Sequence, residues 1–286
     1  MTHIAGQHRA LDEELSGERP DQQPRPGARV LPLGPDAAAP SVLWKAFDVL
    51  GAFSHRHRVL TLAQIVRHTG MPKSTVHRVL AMLADVGAVE LAGGGYRIGL
   101  RMFTLGALPP EAALREAALA HLEDLHRYSG QTLHLAILRG ADVIYLEKLA
   151  GRKSVRTPAV IGDRLPAHCT AVGKALLAFS GADTAAGALS GPLRRRTAQS
   201  LLTAEQVRSQ LDAIRASGFA LDREESADGL ACVAVPVLVR DQAVAAVSVA
   251  FPASAGSGQV LVNPLRQAAA AISRSPAMMR CADLVA

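Results

Sequence analysis

Residues 61–90 have the sequence TLAQIVRHTGMPKSTVHRVLAMLADVGAVE, which predicts two short helices joined by a tight turn. Gly70 ends the first helix, because glycine adopts the left-handed backbone conformation at little cost. Pro72 follows where a second helix begins, and its missing N–H is not needed there. The apolar residues of the second helix share one face: Val76, Val79, Leu80 and Leu83.

The outer face of that second helix carries side chains that donate hydrogen bonds. They are Lys73, Ser74, Thr75, His77 and Arg78. A helix with this face, held across a first helix by a glycine turn, predicts a helix-turn-helix whose second helix enters the major groove of DNA. A helical hairpin in a core, or a protein-contact module, has the same periodicity and remains the alternative.

A β-hairpin is predicted directly after the second helix. Short segments predicted to be extended, at 89–91 and 96–98, flank a run of three glycines. With a further helix predicted over residues 41–53, the segment 41–106 becomes a winged helix-turn-helix domain. Arg97 stands beside the glycine turn, where it either reaches the DNA backbone or minor groove or is a solvated hairpin residue.

Positive charge is concentrated in this segment. Residues 41–106 contain eight Lys and Arg against three Asp and Glu, a net charge of +5, whereas residues 107–286 contain 19 against 16, a net charge of +3. A surface that binds phosphates requires such an excess. The proline-rich residues 1–40 are predicted to be a disordered tail, and residues 276–286 a short C-terminal tail.

Several classes of protein are not favoured by the composition. No run of about 18 or more uncharged apolar residues is present, so no membrane span is expected. The N-terminus lacks a basic segment followed by an apolar one, which argues against export. The cysteines (Cys169, Cys232 and Cys281) show no metal-ligand spacing. We therefore expect a cytoplasmic protein without a metal site, and no motif indicates a cofactor.

The second half is predicted to be an α+β domain preceded by a connector helix. The helix covers residues 107–128, and its apolar stripe packs either on its own domain or on a second subunit. From Thr132 the apolar period becomes alternating, which predicts an antiparallel sheet with flanking helices over residues 129–275. Strands are predicted at 133–137, 143–145, Val155, 232–239 and 243–251, helices at 173–178, 203–217 and 262–274, and loops at 162–169 and 218–222.

Three segments resemble signatures of IclR-type transcriptional regulators. They are GMPKSTVHRVL at 70–80, LPAHCTAVGKALLA at 165–178, and the residues Gly218, Asp222, Glu225, Gly229 and Cys232. The resemblance covers residues 41 to about 275. It implies a GAF-like second domain and a regulator whose affinity for double-stranded operator DNA is modulated by a small organic acid or aromatic effector. It also implies a homodimer, or a dimer of dimers, formed largely through the DNA-binding half.

The resemblance also places an effector pocket at nine positions: Ser154, Thr157, Leu165, Ala171, Val172, Asp222, Cys232, Ser248 and Ala250. Hydroxyl groups and the N–H groups of Ala171 and Val172 suit a carboxylate, whereas Asp222 suits a ligand hydroxyl. Pyruvate- and glyoxylate-type sensors of the family carry a second serine at the position of Ala250, so its absence argues against a small 2-oxoacid. Plain core packing is the alternative at each position.

The arrangement nearest to a catalytic site is His168 beside Cys169, with Asp222 as an orienting group. Adjacent residues usually point apart, and no zinc, nucleotide or serine-hydrolase motif is present. We therefore predict a regulator and no enzyme. The resemblance gives His168 a structural role in the pocket wall. The alternative functions are an interaction module, or a GAF-like domain with minor hydrolytic activity through Cys169 and His168.

Overall fold

A computed structural model gives the fold of the chain. It describes residues 41–151, 155–276 and 278. These residues belong to two compact units that divide between Met102 and Phe103. The predicted tails at 1–40 and 276–286 lie wholly or largely outside the described residues. Helices and antiparallel strands occur together, which confirms the predicted α+β class.

The first unit is a three-helix base with a small sheet. Its elements are α1 (Val42–Gly51), β1 (Val59–Leu60), α2 (Leu62–Thr69), α3 (Lys73–Asp85), β2 (Val89–Ala92) and β3 (Gly95–Ile98), and α4 (Leu100–Gly106) follows. The three strands pair in the order β1-β3-β2. The hairpin of β2 and β3 was predicted, whereas β1 was not, because two residues carry no periodic signal.

Local chemistry fixes the two central helices. Thr61 caps α2, and its side chain and that of Gln64 satisfy each other's backbone N–H groups in a capping box. Gly70 has φ +68, in the left-handed region, as the turn requires. Ile65 on α2 and Val79 on α3 are buried in the common core. The predicted helix-turn-helix is therefore confirmed.

The second unit is one antiparallel sheet with helices on it. Its strands run in the order β6-β5-β4-β9-β8-β7. The elements are α5 (Pro110–Ser129), β4 (Thr132–Arg139), β5 (Asp142–Leu149), β6 (Arg164–Pro166), α6 (Ala171–Ala178), α7 (Ala182–Ala188), α8 (Ala204–Ser217), β7 (Ala220–Arg223), β8 (Leu230–Val239), β9 (Gln242–Pro252) and α9 (Val262–Ser273).

Three details of this unit differ from the sequence prediction. Val155 is not in a strand. Strands β6 and β7 occupy segments that were predicted to be loops, because they are only three and four residues long and show no clear alternation. Helix α7 is a short run of small residues that lacks an apolar stripe, and it was not predicted.

The two faces of the sheet have different side chains. Large apolar residues of β4, β8 and β9 pack against α5 and α9, for example Leu135, Val235 and Val249. Alternate positions on the same strands are small, such as Ala234 and Ala246, and they face α6 and α8. Small residues on this second face let α6 come close and leave room for polar groups.

Helix α5 packs on its own domain. Its apolar stripe (Leu114, Ala118, Leu122 and Leu125) is buried in the same cluster as β4 and α9. The Arg115 guanidinium lies 2.6 Å from a carboxylate oxygen of Glu147 on β5, which ties the helix to the sheet. Of the two alternatives for this stripe, the structure supports packing within the chain.

Candidate DNA-binding surface and effector cavity

We call the five polar residues on the outer side of α3 the recognition face. Of its members, Lys73, Ser74, His77 and Arg78 are exposed and Thr75 is half-buried. Within the described chain none of these side chains has a hydrogen-bond or ion-pair partner. The opposite side of α3 is buried in the core of the first unit. The face therefore presents unpaired donors on a helix whose orientation is fixed from behind.

Unlike the side chains of the recognition face, Arg97 is paired with a carboxylate of the same chain. It lies on β3, and its Nε and Nη2 atoms donate to Oε2 of Glu90 at 3.0 and 2.8 Å. The N–H of Leu100 donates to the other Glu90 oxygen at 3.0 Å. Together the Leu100 N–H and the Arg97 guanidinium lower the pKa of Glu90. Arg97 thus shares its charge with a neighbouring carboxylate in the wing.

The second unit contains a cavity between the small-residue face of the sheet and the start of α6, which we call the C-terminal cavity. Its free volume is about 20 Å³, close to the space of one water molecule. Seven predicted effector positions line it: Thr157, Leu165, Ala171, Val172, Asp222, Cys232 and Ser248.

Two predicted positions are not in this wall. Ser154 lies outside the described residues. Ala250 is completely buried in the apolar cluster of the same sheet face and does not line the cavity. It is paired with Cys232 on the neighbouring strand. The side chain at this position packs in the core, so the missing hydroxyl carries less weight against a 2-oxoacid than the sequence suggested.

Seven further residues line the C-terminal cavity and were not predicted: His134, Tyr145, Pro158, Ala159, Thr170, Ser226 and Leu230. The signal for His134 was present in the alternation of β4. Leu133 and Leu135 face the α5 side, so the residue between them faces the cavity. A histidine at such a position in an apolar strand marks a polar wall.

His134 and Tyr145 form one polar side of the cavity. Their rings meet edge to face, with centroids 5.2 Å apart. The Nε2 atom of His134 lies 3.4 Å from the hydroxyl of Thr157. Burial, with a smaller contribution from Lys148, lowers the pKa of His134 to about 3. The imidazole is therefore neutral at physiological pH and has one nitrogen that accepts a hydrogen bond.

Asp222 forms the opposite polar side. Its Oδ1 accepts from the Glu225 N–H at 2.8 Å, and its Oδ2 accepts from the Ser226 hydroxyl at 2.5 Å. Burial raises the pKa of Asp222 to about 6, the nearby Glu225 adds to this, and the Ser226 hydrogen bond opposes it. A carboxyl group with such a pKa changes charge close to neutrality.

The N-terminus of α6 contributes backbone donors. Thr170 caps the helix by accepting from the Gly173 N–H at 3.1 Å. The N–H groups of Ala171 and Val172 belong to the first turn, where a helix provides no acceptor. Both residues line the C-terminal cavity, and no Lys or Arg does. A bound anion would therefore rest on helix amides and hydroxyls.

His168 and Cys169 are buried beside the cavity and do not line it. The His168 ring is hydrogen-bonded to the backbone of Arg194, and burial lowers its pKa. The Cys169 thiol lies 3.6 Å from the Pro166 carbonyl oxygen. Burial, and then the Asp222 charge, raise the pKa of Cys169 to about 12. A thiol in this state is protonated at neutral pH, which opposes a nucleophilic role.

Comparisons with known proteins identify both halves. Residues 42–92 match the IclR helix-turn-helix domain, and residues 110–274 match the C-terminal domain of bacterial IclR transcriptional regulators. The chain belongs to the IclR family of DNA-binding transcriptional regulators. It is 34% identical over 243 residues to the HTH-type transcriptional regulator XynR of Escherichia coli (strain K12), a match that covers 81% of this chain and 95% of XynR.

Solved structures of the family have the same fold. A crystal structure of an IclR homologue from Microbacterium hydrocarbonoxydans, complexed with 4-hydroxybenzoate, is similar with a TM-score of 0.74 and 28% identity, over 84% of this chain and 100% of that one. The IclR of Thermotoga maritima is similar with a TM-score of 0.69 and 26% identity, over 81% of this chain and 97% of that one.

The described residues of this IclR-family chain form neither a membrane-spanning helix nor a metal-binding cluster. None of their helices is both long and apolar enough to cross a membrane. In the same part of the chain, no group of three or more His, Cys, Asp or Glu side chains is arranged to hold a metal ion.

Proposed function

We propose that the recognition face of α3 binds the major groove of operator DNA. The observation that supports this most strongly is the set of unpaired donors on α3, directly opposite its buried side. Arg78 and His77 are suited to base edges, and Lys73 at the start of the helix is suited to a phosphate. Arg97 is assigned a weaker contact with the DNA backbone, because Glu90 already occupies its guanidinium.

The operator is near-palindromic, and the protein binds it as a homodimer or a dimer of dimers. One recognition helix per chain has a short footprint, so a second copy is needed for specific affinity. Large apolar side chains on α1 are exposed, including Leu43 and Phe47 at 69% and 61%. A second copy of the chain is the partner that we assign to this surface of the DNA-binding half.

The effector is a small organic acid that carries a carboxylate and a hydroxyl group. An aromatic ring between these two groups suits the apolar walls of the cavity. The N–H groups of Ala171 and Val172 take the carboxylate, while neutral His134 and Asp222 accept from the hydroxyl. The Microbacterium homologue in complex with 4-hydroxybenzoate has a ligand with both groups, and this compound is the first probe to test. Plain core packing is the competing role for these wall residues.

Effector entry requires the wall to move, because the free volume is about 20 Å³. Segment 157–159 lines the cavity and is held by Lys148, whose Nζ lies 2.7 Å from the Ala159 carbonyl oxygen. We expect that ligand binding displaces this segment. This displacement then favours one of two conformations of the chain, which differ in their affinity for DNA. A ligand changes operator affinity only if it binds one arrangement better than the other.

The domains are assigned as the sequence predicted: 41–106 binds DNA, 107–128 is the connector helix, and 129–275 holds the effector. The matched family segments at 42–92 and 110–274 support this division. Catalysis is not part of the proposal. The curated relatives are regulators, and the Cys169 thiol is protonated at neutral pH, since burial raises its pKa to about 12.

The test is footprinting of the DNA upstream of the chain's own gene, with a binding selection from random duplexes in parallel. We expect a protected near-palindromic site, with affinity that falls steeply between about 50 and 200 mM salt. The Lys73→Ala/Arg78→Ala double variant is the matched control and should lose protection while it melts like the wild type. No protected region and no enriched sequence would mean that the basic face is incidental and that the module binds protein.

A further inference from the structure

A second concave surface of the C-terminal unit is a groove of about 350 Å³ beside α8 and β7, which we call the α8 groove. Its apolar wall consists of Leu201, Ile214, Phe219 and Leu221. None of the residues that line it also lines the C-terminal cavity. The two surfaces are therefore separate places at which a small molecule could be held.

A buried ion pair lies behind the α8 groove. Lys174 is completely buried, and its Nζ lies 2.5 Å from Oε1 of Glu225 and 2.7 Å from Oε1 of Gln210. Both acceptors belong to the wall of the groove. A buried ammonium without such partners would be strongly unfavourable, so Lys174 fixes both side chains in place.

The second carboxylate oxygen of Glu225 has no such partner. Glu225 is only 6% exposed, and its Oε2 is buried without a hydrogen bond in the described chain. Buried polar atoms nearly always have a partner, so this acceptor requires an explanation. Because this atom is shielded from solvent, a molecule in the groove reaches it only when the side chains that cover it move aside. A donor on that molecule then satisfies it with a charge-assisted hydrogen bond, because the acceptor is a carboxylate.

Arg223 supplies the opposite charge at the rim. It is exposed, it is two residues from Glu225, and it forms no hydrogen bond or ion pair within the described residues. The α8 groove thus combines an unsatisfied carboxylate oxygen, a free guanidinium and an apolar wall. A molecule complementary to all three has an ammonium, a carboxylate and an apolar body.

We propose that the α8 groove binds a free α-amino acid with an apolar side chain. The ammonium donates to Oε2 of Glu225, the guanidinium of Arg223 pairs with the carboxylate, and the side chain rests on Ile214 and Phe219. This site is additional to the effector cavity and does not depend on the function proposed for that cavity. An alkylamine could contact only the Glu225 carboxylate, and a fatty acid could contact only the Arg223 guanidinium. Each of these molecules therefore makes one of the two polar contacts that the amino acid makes.

Isothermal titration of the full chain with L-leucine tests the proposal. We expect a dissociation constant of about 1 mM, typical of a ligand with few heavy atoms in an open groove. The two matched probes are 3-methylbutylamine, which lacks the carboxylate, and 4-methylpentanoate, which lacks the ammonium. Each should bind at least about tenfold more weakly. Equal binding of either probe, or no binding of leucine up to about 10 mM, would overturn the proposal.

Variants locate the site. Arg223→Gln changes an exposed side chain, so it should keep the fold and weaken leucine binding about threefold to tenfold. Ala213→Leu fills the groove from the exposed side of α8 and should abolish binding, whereas Ala216→Leu, on the same helix and outside this groove, should not. Ser248→Leu, which fills the C-terminal cavity, should leave leucine binding unchanged. Leucine binding lost only in Ser248→Leu would place the amino acid in the cavity and overturn the assignment.

Discussion

The recognition face and the C-terminal cavity use polar side chains in opposite ways. On α3 the polar groups are in solvent and the apolar residues behind them form the core. In the cavity the polar groups are themselves buried, with Asp222 at 1% and Ser248 at 2% exposure. A residue of the face can therefore be replaced without disturbing the core. A residue of the cavity wall is buried in the core as well as part of the proposed ligand site, so its replacement must always be checked for stability.

The strongest way to sharpen this contrast is a substitution in α6, directly behind the wall, that acts through packing alone. A Cβ at Gly173 would lie 2.2 Å from the Ala167 carbonyl oxygen, so Gly173→Ala must displace the start of α6. We expect a loss of about 3 kcal/mol in the free energy of unfolding, measured by urea denaturation. Gly187→Ala is the control, because nothing lies within 4 Å of its Cβ position. Equal stability of the two variants would mean that α6 does not approach the 167–169 turn closely.

Arg78→Ala tests the other side of the contrast. We expect operator affinity to fall by about 1–3 kcal/mol with relaxed specificity at one base position, while the melting temperature stays unchanged. Arg208→Ala removes another exposed arginine, on α8, and should leave DNA binding intact. A gel-shift titration gives both affinities. Wild-type binding by Arg78→Ala would show that α3 is not the reading helix.

The pH dependence of effector binding should follow Asp222, whose pKa burial raises to about 6. Above this pH the carboxylate accepts a charge-assisted hydrogen bond from the ligand hydroxyl, whereas below it the protonated carboxyl is a poorer acceptor. The affinity for 4-hydroxybenzoate should therefore fall as pH falls below about 6, at most about tenfold per pH unit. In Asp222→Asn this dependence should vanish. A profile that stays the same in the variant would assign the titration to another group.

The same raised pKa has a consequence for stability. The folded chain holds the Asp222 proton more tightly than the unfolded chain, so this group's contribution to the free energy of unfolding decreases as pH rises from about 4 to 6. Asp222→Asn should flatten that part of the stability curve. Melting temperatures of the wild type and of Asp222→Asn, measured across this pH range, therefore show whether a change in ligand affinity results from partial unfolding.

Lys73→Ala should have the smallest effect. A lost phosphate contact lowers affinity for all sequences and reduces the slope of log affinity against log salt by about one unit. Binding measured between about 50 and 200 mM salt gives the slope. Loss of sequence preference at one base position would instead place Lys73 at a base edge.

Local signals predicted most of this architecture. The turn at Gly70 and the helix predicted at 203–217, which begins with a capping box formed by Thr203 and Gln206, each depend on neighbouring residues, and both occur in the structure. The short strands β1 and β6 depend on partners far away in sequence, and β7 has only four residues, so periodicity could not show them.

The wall of the cavity was only partly predictable for the same reason. Asp222 and Cys232 lie opposite each other on paired strands, and the family signature pointed to both. His134 and Tyr145 have no motif, and their position follows from the register of β4 and β5 with the rest of the sheet. Only that register shows that their side chains meet at one wall.

The most direct test of the account is an effector titration of the operator complex formed by the wild type and by Ser248→Leu. The extra carbons of leucine fill a cavity of about 20 Å³, so effector binding should be lost while DNA binding without effector is retained. The predicted result is a wild-type complex that responds to 4-hydroxybenzoate or a related hydroxy acid, beside a folded variant that does not. A folded variant with the wild-type effector midpoint would contradict the account and place the regulatory site elsewhere.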